Sequence, residues 1–357
     1  MHALMLDKYG APLRPATIPT PSPAPHEVLV RMVASGVNHV DERVRAGEFK
    51  NIFRLNLPKV LGSELAGEVV EVGSAVTDFA VGDRVYGYTG MTAMGSFAET
   101  VAIDSAAVAA VPSSVSLVEA ASLPLSALTT WRAFTGLWHL SPGQVVLIHG
   151  GTGGVGVVAI QLAKHLGATV VTTASAANAD YARELGADLV IDYRSEDFVE
   201  RLKSVPVDLV LDTQGGDVIY RSLDVVRPGG MVIGLASVPD PGVADQIGAG
   251  PVLRLAVTVL SHRLRRRARS RGASYRFLFF FPDGEVLRTV AKIVDSGALR
   301  PQVGRVLPFE RTREALAQLQ AGGTRGKVVV TTQPEEVTEN RPRTPGKDQA
   351  DPSPFVD

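Results

Sequence analysis

Cysteine is absent from this chain of 357 residues. Without a thiol there can be no disulfide, thiolate zinc site, iron–sulfur cluster or cysteine nucleophile. No uninterrupted apolar run approaches the ~20 residues that a membrane-spanning helix needs. The N-terminus also lacks the basic, apolar and small-residue pattern of a secretory signal, so we expect a cytoplasmic protein.

The chain has no excess of either charge sign, since 36 lysines and arginines against 37 acids give a net charge of −1. This balance provides no general attraction to nucleic acid or to an anionic membrane, and we expect neither as a partner. The basic run Arg263–Arg271 lacks interleaved aromatic residues, which favours a solvated helix face over a nucleic-acid patch. The length suggests two domains.

A glycine-rich segment lies between an apolar β-branched run, Val145–His149, and a helical pattern, Val157–Leu166. Its glycines have the spacing G-x-G-x-x-G. In that motif the first glycine allows a tight turn, the second lets the backbone approach a pyrophosphate, and the third lets the helix lie close to the strand. The N–H groups at the helix start then face the phosphates. The segment predicts a dinucleotide site whose candidate contacts are Gly151, Thr152, Gly153, Gly154, Val155 and Gly156.

Strands and helices alternate after this segment, which predicts a doubly wound parallel sheet of the α/β class. The predicted strands are Ala168–Ala174, Ala187–Asp192 and Val207–Asp212, and the helices between them are Asp180–Leu185 and Glu196–Lys203. The first third of the chain differs, because short β-branched runs alternate there with Gly, Pro and Asp turns. It predicts a mostly antiparallel, partly barrel-like domain.

The end of the second predicted strand indicates which dinucleotide binds. NAD-binding proteins place an acid there, roughly twenty residues past the glycines, to hold the ribose 2′-hydroxyl. Here the position holds Ser175, with Asn178 nearby and no carboxylate among their neighbours to repel a 2′-phosphate. NADPH is therefore favoured over NADH. Alternatively, Ser175 and Asn178 cap the following helix, and the two roles can coexist.

Motifs occur in order along nearly the whole chain: Ala34–Asp41, Val60–Gly67, Gly82–Gly87, Gly95–Glu99, Ala120–Trp131, the glycine-rich loop, Val190–Tyr193 and Gly326–Val329. Together they resemble the medium-chain dehydrogenase/reductase superfamily, specifically its zinc-free quinone oxidoreductase-like branch. The resemblance implies a GroES-like catalytic domain, residues 1–125 and 284–332, and a Rossmann NADP-binding domain, residues 126–283. From residue 333 to 357 proline and charge replace apolar residues, which predicts a disordered tail.

The zinc-dependent relatives hold a catalytic metal with two cysteines and a histidine. By the surrounding motifs, those positions are occupied here by Asn38, Ser63 and Leu125. An amide, a hydroxyl and an alkyl group cannot make a tight zinc site, so we predict no metal. Alcohol oxidation then loses the Lewis acid that lowers the substrate pKa. Hydride delivery to a conjugated carbon stays feasible, because hydrogen bonds can stabilise the resulting oxyanion.

The resemblance also implies roles for residues of the catalytic domain. Asn38 would touch the nicotinamide ribose or the substrate oxygen, with a turn asparagine as the alternative. Asp41 matches the family's active-site aspartate, or caps the helix that follows. Either Tyr88 or Tyr86 could lend a phenolic proton, but their sequence context favours the alternative of tyrosines packed between core and rim.

Four further residues are candidates for the cofactor. The resemblance implies that the Thr129 hydroxyl contacts the dinucleotide, and that Tyr193 completes the 2′-phosphate pocket with Ser175. Arg325 and Lys327 lie in the motif block with which relatives contact the cofactor phosphates, and only one of the two side chains needs to contact a phosphate. The alternatives are a helix-cap threonine, an edge aromatic and a lysine that begins its strand.

Three functions from different classes follow. The first is an NADPH-dependent enone or quinone reductase; the second is a carbonyl reductase or alcohol dehydrogenase; the third is a non-catalytic NADPH-binding protein. The missing zinc ligands weigh against the second, and the intact glycine loop gives no sign of lost catalysis. The nearly all-apolar run Arg276–Phe281 predicts an exposed edge strand, and with it a homodimer.

Overall fold

The computed structural model describes residues 1–50 and 52–336. The described chain divides into two compact units, the first formed by Met1–Thr129 with residues 280–336, the second by Thr130–Phe279. Of the predicted tail, residues 337–357 lie outside the described residues. Its first part contains a 3₁₀ turn, Pro334–Glu336, which the composition did not indicate.

Sixteen strands lie within the described ranges. They are β1 His2–Leu6, β2 Arg14–Thr17, β3 Glu27–Val37, β4 Lys59–Val60, β5 Glu64–Val72, β6 Arg84–Tyr88, β7 Thr100–Asp104, β8 Val108–Ala110, β9 Val145–His149, β10 Thr169–Ala174, β11 Leu189–Asp192, β12 Val207–Asp212, β13 Val226–Gly234, β14 Ser274–Phe277, β15 Val303–Pro308 and β16 Lys327–Thr331.

The same ranges contain twelve α-helices. They are α1 His39–Ala46, α2 Leu117–Ala120, α3 Pro124–Trp131, α4 Gly156–His165, α5 Ala179–Glu184, α6 Phe198–Arg201, α7 Asp217–Ser222, α8 Pro241–Gln246, α9 Pro251–Leu260, α10 His262–Ser270, α11 Gly284–Asp295 and α12 Thr312–Ala321. None of these helices combines the length and the apolar composition needed to cross a bilayer.

The second unit contains one six-stranded sheet in the order β11-β10-β9-β12-β13-β14, with every neighbouring pair parallel. The chain starts at β9 and moves outward first to one side and then to the other, so the strand order reverses between β9 and β12. In open α/β sheets ligands bind outside the carboxyl ends of the strands at such a reversal. The predicted α/β class with a doubly wound parallel sheet is confirmed.

The first unit is built mainly from antiparallel pairs. A seven-stranded sheet has the order β15-β16-β3-β5-β6-β8, with β7 also on β3, and a second sheet has the order β2-β1-β4. Strand β16 pairs with β3 so that Val328 faces Val37. This register brings the start of the last strand beside the end of β3, where α1 begins.

The predicted strand Arg276–Phe281 is shorter in the structure. Strand β14 ends at Phe277, after which the N–H of Leu278 makes one more bond, to the carbonyl of Gly234 at 3.0 Å. Its neighbour β13 ends at Gly234, so the later residues have no strand to pair with. The prediction was wrong for residues 278–281. Within the described chain β14 has one neighbour and forms an edge of the sheet.

Candidate functional site

The glycine-rich loop is as tight as its spacing predicts. A Cβ atom on Gly151 would lie 2.0 Å from Thr172 Oγ1, and one on Gly156 would lie 2.3 Å from the carbonyl oxygen of Gly150. No side chain fits at either position. At Gly153 the nearest atom would be 3.4 Å away, so packing leaves room on this side of the loop. The first and third glycines are required by the turn and by the contact between strand and helix.

The loop leads into α4, whose first N–H groups point out of the helix. Within the described ranges, no protein acceptor is bound by the N–H groups of Gly154, Val155 or Gly156. The helix dipole adds partial positive charge at the same end. Such a terminus can hold a pyrophosphate without a charged side chain.

Ser175 and Asn178 follow β10 and do not cap a helix with their side chains. The side-chain amide of Asn178 instead donates to Thr152 Oγ1 at 3.4 Å. This contact joins the end of β10 to the glycine-rich loop. The structure therefore does not show the capping role that was the alternative for these two side chains. Ser175 is half-buried at the end of β10.

Tyr193 follows β11, beside the end of β10. Its N–H donates to the carbonyl of Ala174, the residue before Ser175, at 3.2 Å, and its side chain is 60 % exposed. The guanidinium of Arg194 lies 5.6 Å from the centre of the tyrosine ring. The structure therefore brings a hydroxyl, a phenol and a guanidinium to one edge of the sheet. Arg194 was missed in the sequence, although a cation two residues past a predicted strand end was a usable signal.

One carboxylate lies at the same edge and was also missed. Asp192 accepts hydrogen bonds from the N–H of Arg194 at 3.1 Å and from the hydroxyl of Ser195 at 2.8 Å. These bonds, with a further one from the backbone of Ala176, hold the pKa of Asp192 below its usual range. The carboxylate is ionised and has its own donors.

A second turn follows β12, on the other side of the strand reversal. Thr213 Oγ1 donates to the carbonyl of His149 at 2.7 Å, and a Cβ on Gly150 would lie 2.5 Å from the side-chain nitrogen of Gln214. The buried carboxylate of Asp212 accepts from the N–H groups of Gln214 and Gly215, at 2.9 and 3.0 Å, while burial raises its pKa. Gln214 thus lies against the glycine-rich loop. The run Asp-Thr-Gln-Gly-Gly directly after a predicted strand was the signal for this turn.

His149 packs inside the second unit. It is 2 % exposed, and its ring nitrogens lie 3.2 Å from Thr173 Oγ1 and 3.0 Å from Ser222 Oγ. Burial lowers its pKa to about 4, so the ring is neutral at physiological pH. It is a structural histidine.

Five buried polar residues meet in the first unit, and we call them the Asp41 cluster: Asn38, Asp41, Ser63, Glu64 and Lys327. None is more than 5 % exposed. The start of α1 supplies the first two, the start of β5 the next two, and the start of β16 the lysine.

Asp41 accepts two hydrogen bonds in this cluster. The backbone N–H of Asn38 donates to Oδ2 at 2.9 Å, and the hydroxyl of Ser63 donates to Oδ1 at 2.9 Å. Burial raises the pKa of Asp41 to about 7 in spite of these bonds. Asp41 thus caps the start of α1, as the capping alternative predicts, and also forms a buried pair with Ser63. The active-site role that the resemblance implies stays a prediction. Asp41 can hold or release a proton near neutral pH.

Glu64 is the centre of the other half of the cluster. Its Oε1 accepts from Asn38 Nδ2 at 2.8 Å and lies 2.7 Å from Lys327 Nζ; its Oε2 accepts from the N–H of Leu125 at 2.7 Å. A Cβ on Gly36 would lie 2.2 Å from Glu64 Oε1, so glycine is required there. Sequence reasoning missed Glu64, although it directly follows Ser63 in a motif block.

The ammonium of Lys327 also donates to Asn38 Oδ1 at 2.5 Å. A buried cation that has a carboxylate at 2.7 Å is already neutralised. The geometry assigns Lys327 to this ion pair at the start of β16. The phosphate contact that the resemblance implies for Arg325 stays a prediction. Arg325 is exposed.

The remaining candidates of the first unit are buried. Tyr88 is 2 % exposed and packs on Phe280 with ring centres 5.3 Å apart; burial raises its pKa far above the usual range, so the phenol stays protonated. The hydroxyl of Tyr86 donates to the carbonyl of Leu287 at 2.6 Å, which accounts for it as a core residue. The hydroxyl of Thr129 donates to the carbonyl of Leu125 at 2.7 Å.

The three positions that match zinc ligands do not suit a metal. Asn38 and Ser63 use their polar atoms inside the Asp41 cluster, and Leu125 contributes a backbone N–H. Across residues 1–50 and 52–336, no three His, Asp or Glu side chains are placed to hold an ion together. The donor set does not fit zinc.

Comparison with known proteins gives the family. The family model described as "Alcohol dehydrogenase GroES-like domain" matches residues 24–113, and the one described as "Zinc-binding dehydrogenase" matches residues 185–330. The protein named "NAD(P)H oxidoreductase RTN4IP1, mitochondrial" from Danio rerio is 35 % identical, covering 93 % of this chain and 91 % of the relative. The chain belongs to the medium-chain dehydrogenase/reductase superfamily. The human protein of the same name is 34 % identical over 86 % of this chain and 82 % of its own length.

Solved structures place this dehydrogenase/reductase in the quinone oxidoreductase-like branch. The quinone oxidoreductase from Coxiella burnetii has a TM-score of 0.80 at 32 % identity, covering 93 % of this chain and 99 % of that one. The Escherichia coli quinone oxidoreductase complexed with NADPH has a TM-score of 0.76 at 26 % identity, covering 93 % and 100 %. Membership of this family identifies the chain as a nicotinamide-dependent oxidoreductase. The expected cytoplasmic location stays a prediction.

Proposed function

We propose that this protein is an NADPH-dependent oxidoreductase that transfers a hydride to a quinone or an α,β-unsaturated carbonyl without a metal. The observation that carries the proposal is the Asp41 cluster, in which an amide and a hydroxyl occupy the positions that the resemblance matches to the metal ligands of zinc-dependent relatives. Relatives named as NAD(P)H oxidoreductase and quinone oxidoreductase support it.

The second unit has residues that fit the cofactor. The glycine-rich loop and the open N–H groups of Gly154 and Val155 would hold the pyrophosphate. Ser175, Tyr193 and Arg194 would hold the 2′-phosphate, with the guanidinium as the charged partner. Because the Asp192 carboxylate already accepts bonds from its own turn, its charge is partly offset at this edge.

When bound, NADPH supplies the hydride, and the reduced substrate still needs a proton. The chain can hold that proton at Asp41, whose pKa of about 7 keeps both protonation states populated at neutral pH. When Asp41 is protonated and the Ser63 hydroxyl is turned away from it, Ser63 Oγ can pass its own proton to the reduced substrate and take one from Asp41 Oδ1, across the 2.9 Å between them. We propose Ser63 as the proton relay, with Tyr88 as a neutral phenol in the same unit and Asn38 as the amide that contacts substrate or cofactor.

The orientation of Asn38 is fixed from both ends of its amide. Glu64 accepts from the nitrogen and Lys327 donates to the oxygen, so the amide cannot flip. One amide hydrogen remains for a ligand. Preorganised donors of this kind stabilise an oxyanion without reorganisation.

The test is a substrate panel that follows NADPH consumption with a quinone, an enone and the saturated ketone of the same carbon skeleton. We expect turnover of the quinone or the enone, with product analysis showing reduction at C=C in the enone. Selective reduction of the saturated ketone would instead indicate a carbonyl reductase. NADPH binding without turnover of any of the three would indicate a non-catalytic binding protein.

We propose in addition that the protein is a homodimer that joins through β14. This strand pairs only with β13 in the described chain. The N–H and C=O groups of such an edge strand can form hydrogen bonds with the same strand of a second copy. Light scattering should give twice the mass of 37.8 kDa at micromolar concentration. A monomeric mass under those conditions would rule the proposal out.

A further inference from the structure

Helix α9 exposes most of its apolar side chains. Val252 is 82 % exposed, Leu255 65 %, Val259 64 % and Leu260 67 %, and in this helix Val257 is the buried residue. Large aliphatic side chains that are exposed together on one helix form an apolar patch of the kind that marks an interaction site. Periodicity alone did not reveal this face, because apolar residues occur all round α9.

Helices α9 and α10 continue as one helical path through Ser261. The N–H of Ser261 donates to the carbonyl of Val257 at 3.0 Å, and the N–H of Arg265 donates to the carbonyl of Ser261 at 2.9 Å. The buried residues Val257, Ser261, Leu264 and Ala268 follow each other at intervals of four, three and four, which is one helix face.

The opposite face changes character along the path. Val252, Leu255 and Val259 have intervals of three and four, and Arg263 and Arg266 continue them at four and three. The exposed face is therefore aliphatic in α9 and basic in α10. We call it the α9–α10 face.

The charged residues in the stretch of sequence that contains this face have one sign. No acidic residue occurs between Asp245 and Asp283, whereas this interval contains eight arginines. Four of these arginines are paired with carboxylates at its borders or beyond: Arg254 with Asp245, Arg267 and Arg271 with Asp224, and Arg276 with Asp240. Within the described chain, Arg266 and Arg269 have no carboxylate within 4.0 Å. Arg263 lies 5.8 Å from the ring centre of Tyr220.

We propose that the α9–α10 face docks on an anionic lipid surface. The aliphatic side chains would enter the boundary between headgroups and acyl chains, and the arginines would meet the lipid phosphates. The sequence expectation of no membrane partner rested on the net charge of the whole chain, which averages out this local excess. The proposal is independent of the proposed activity.

Two other occupants fit less well. A second copy placed across a two-fold axis would bring two arginine-rich helices together, which costs electrostatic energy. A nucleic acid would use the arginines, but valine and leucine offer no ring for the bases to stack on. An anionic bilayer can contact both the aliphatic side chains of α9 and the arginines of α10.

The test is co-sedimentation of the full chain with vesicles of phosphatidylcholine alone and of phosphatidylcholine with phosphatidylserine. We expect binding to the mixed vesicles, weakening as salt is raised, and little binding to phosphatidylcholine alone. The variant L255D/V259D should abolish binding. The variant R266Q/R269Q should lower the apparent partition coefficient by about tenfold or more.

Two matched control variants distinguish an effect of the α9–α10 face from the effect of changing any exposed side chain. Val81, 64 % exposed in the first unit, gives Val81→Asp as the apolar control, and the exposed Arg313 gives Arg313→Gln as the basic control. Both should bind like the parent chain, and all variants should keep the parent melting temperature. No binding to the mixed vesicles, equal binding to both vesicle types, or equal losses in the controls would overturn the proposal. So would a dimer in solution that L255D/V259D splits while vesicle binding is unchanged.

Discussion

The ammonium of Lys327 lies 2.7 Å from the carboxylate of Glu64, and both side chains are almost wholly buried, at 5 % and 0 % exposure. The lysine begins the last strand, β16, and the glutamate begins β5. Strand β3 pairs with both of these strands. The ion pair therefore ties the returning end of the chain into the N-terminal sheet.

Lys327→Met should destabilise the first unit by about 3–5 kcal/mol, because it leaves the Glu64 carboxylate buried without its cation. Adding Glu64→Gln to it should recover much of the loss, since the double variant buries no unpaired charge. Urea unfolding followed by far-ultraviolet circular dichroism measures both. The matched control is Arg31→Met, which breaks the exposed pair of Arg31 with Glu68 in the same sheet and should cost about 0–1 kcal/mol. Equal losses in the buried and exposed pairs would contradict the assignment.

Asp41 should make stability depend on pH. Its pKa is raised from 3.8 to about 7 in the folded state, so between these values the folded chain holds a proton that the unfolded chain has lost. Stability from this group is therefore fully present below pH ~4 and is lost as pH rises through ~7. Asp41→Asn should flatten this part of the profile, measured as unfolding free energy from pH 5 to 8. The Ser63 hydroxyl can rotate to accept from the new amide. An unchanged slope would show that Asp41 is ionised throughout.

The glycine-rich loop was predictable from the sequence because its requirements are local. Nearby atoms of the sheet, the turn and the helix exclude a Cβ at Gly151 and Gly156. The spacing of the glycines in the sequence is therefore enough to predict the loop. The Asp41 cluster was only partly predictable. Its members are far apart in the chain, and the contact of Lys327 with Glu64 depends on the pairing of β16 with β3, which no local pattern specifies. The predicted length of β14 was wrong for a related reason, because the end of this strand is set by the residue at which its neighbour β13 ends.

Ser175→Asp should weaken NADPH binding far more than NADH binding, because a carboxylate would face the 2′-phosphate in a half-buried position. Arg194→Gln should also weaken NADPH selectively, through loss of the cation beside Tyr193. Fluorescence titration with both dinucleotides measures these effects. The control is Arg183→Gln, which removes an exposed cation paired with Asp180 on α5. Equal affinities of the parent chain for NADPH and NADH would count against the 2′-phosphate site.

The donor set of Asn38, Ser63 and Leu125 predicts that turnover does not need zinc. The purified protein should keep its NADPH-dependent activity after dialysis against a strong chelator, and elemental analysis should find no stoichiometric zinc. One tightly held zinc ion per chain, lost together with activity, would mean that other residues supply the ligands.

Ser63→Ala should separate catalysis from stability in the Asp41 cluster. The change removes the hydroxyl that donates to Asp41 Oδ1 at 2.9 Å, and with it the proposed proton relay. We expect kcat to fall by about tenfold to a hundredfold, with the affinity for NADPH unchanged because the residues proposed to hold its pyrophosphate and 2′-phosphate lie in the second unit. Ser96→Ala is the matched control. It removes another buried serine hydroxyl of the same unit, one that lies 3.0 Å from Ser35 Oγ and makes no contact with Asp41. Turnover of an enone at saturating NADPH gives kcat for both, and thermal melting gives their stability. Equal losses of kcat in the two variants would assign Ser63 a packing role and leave the proton to another group.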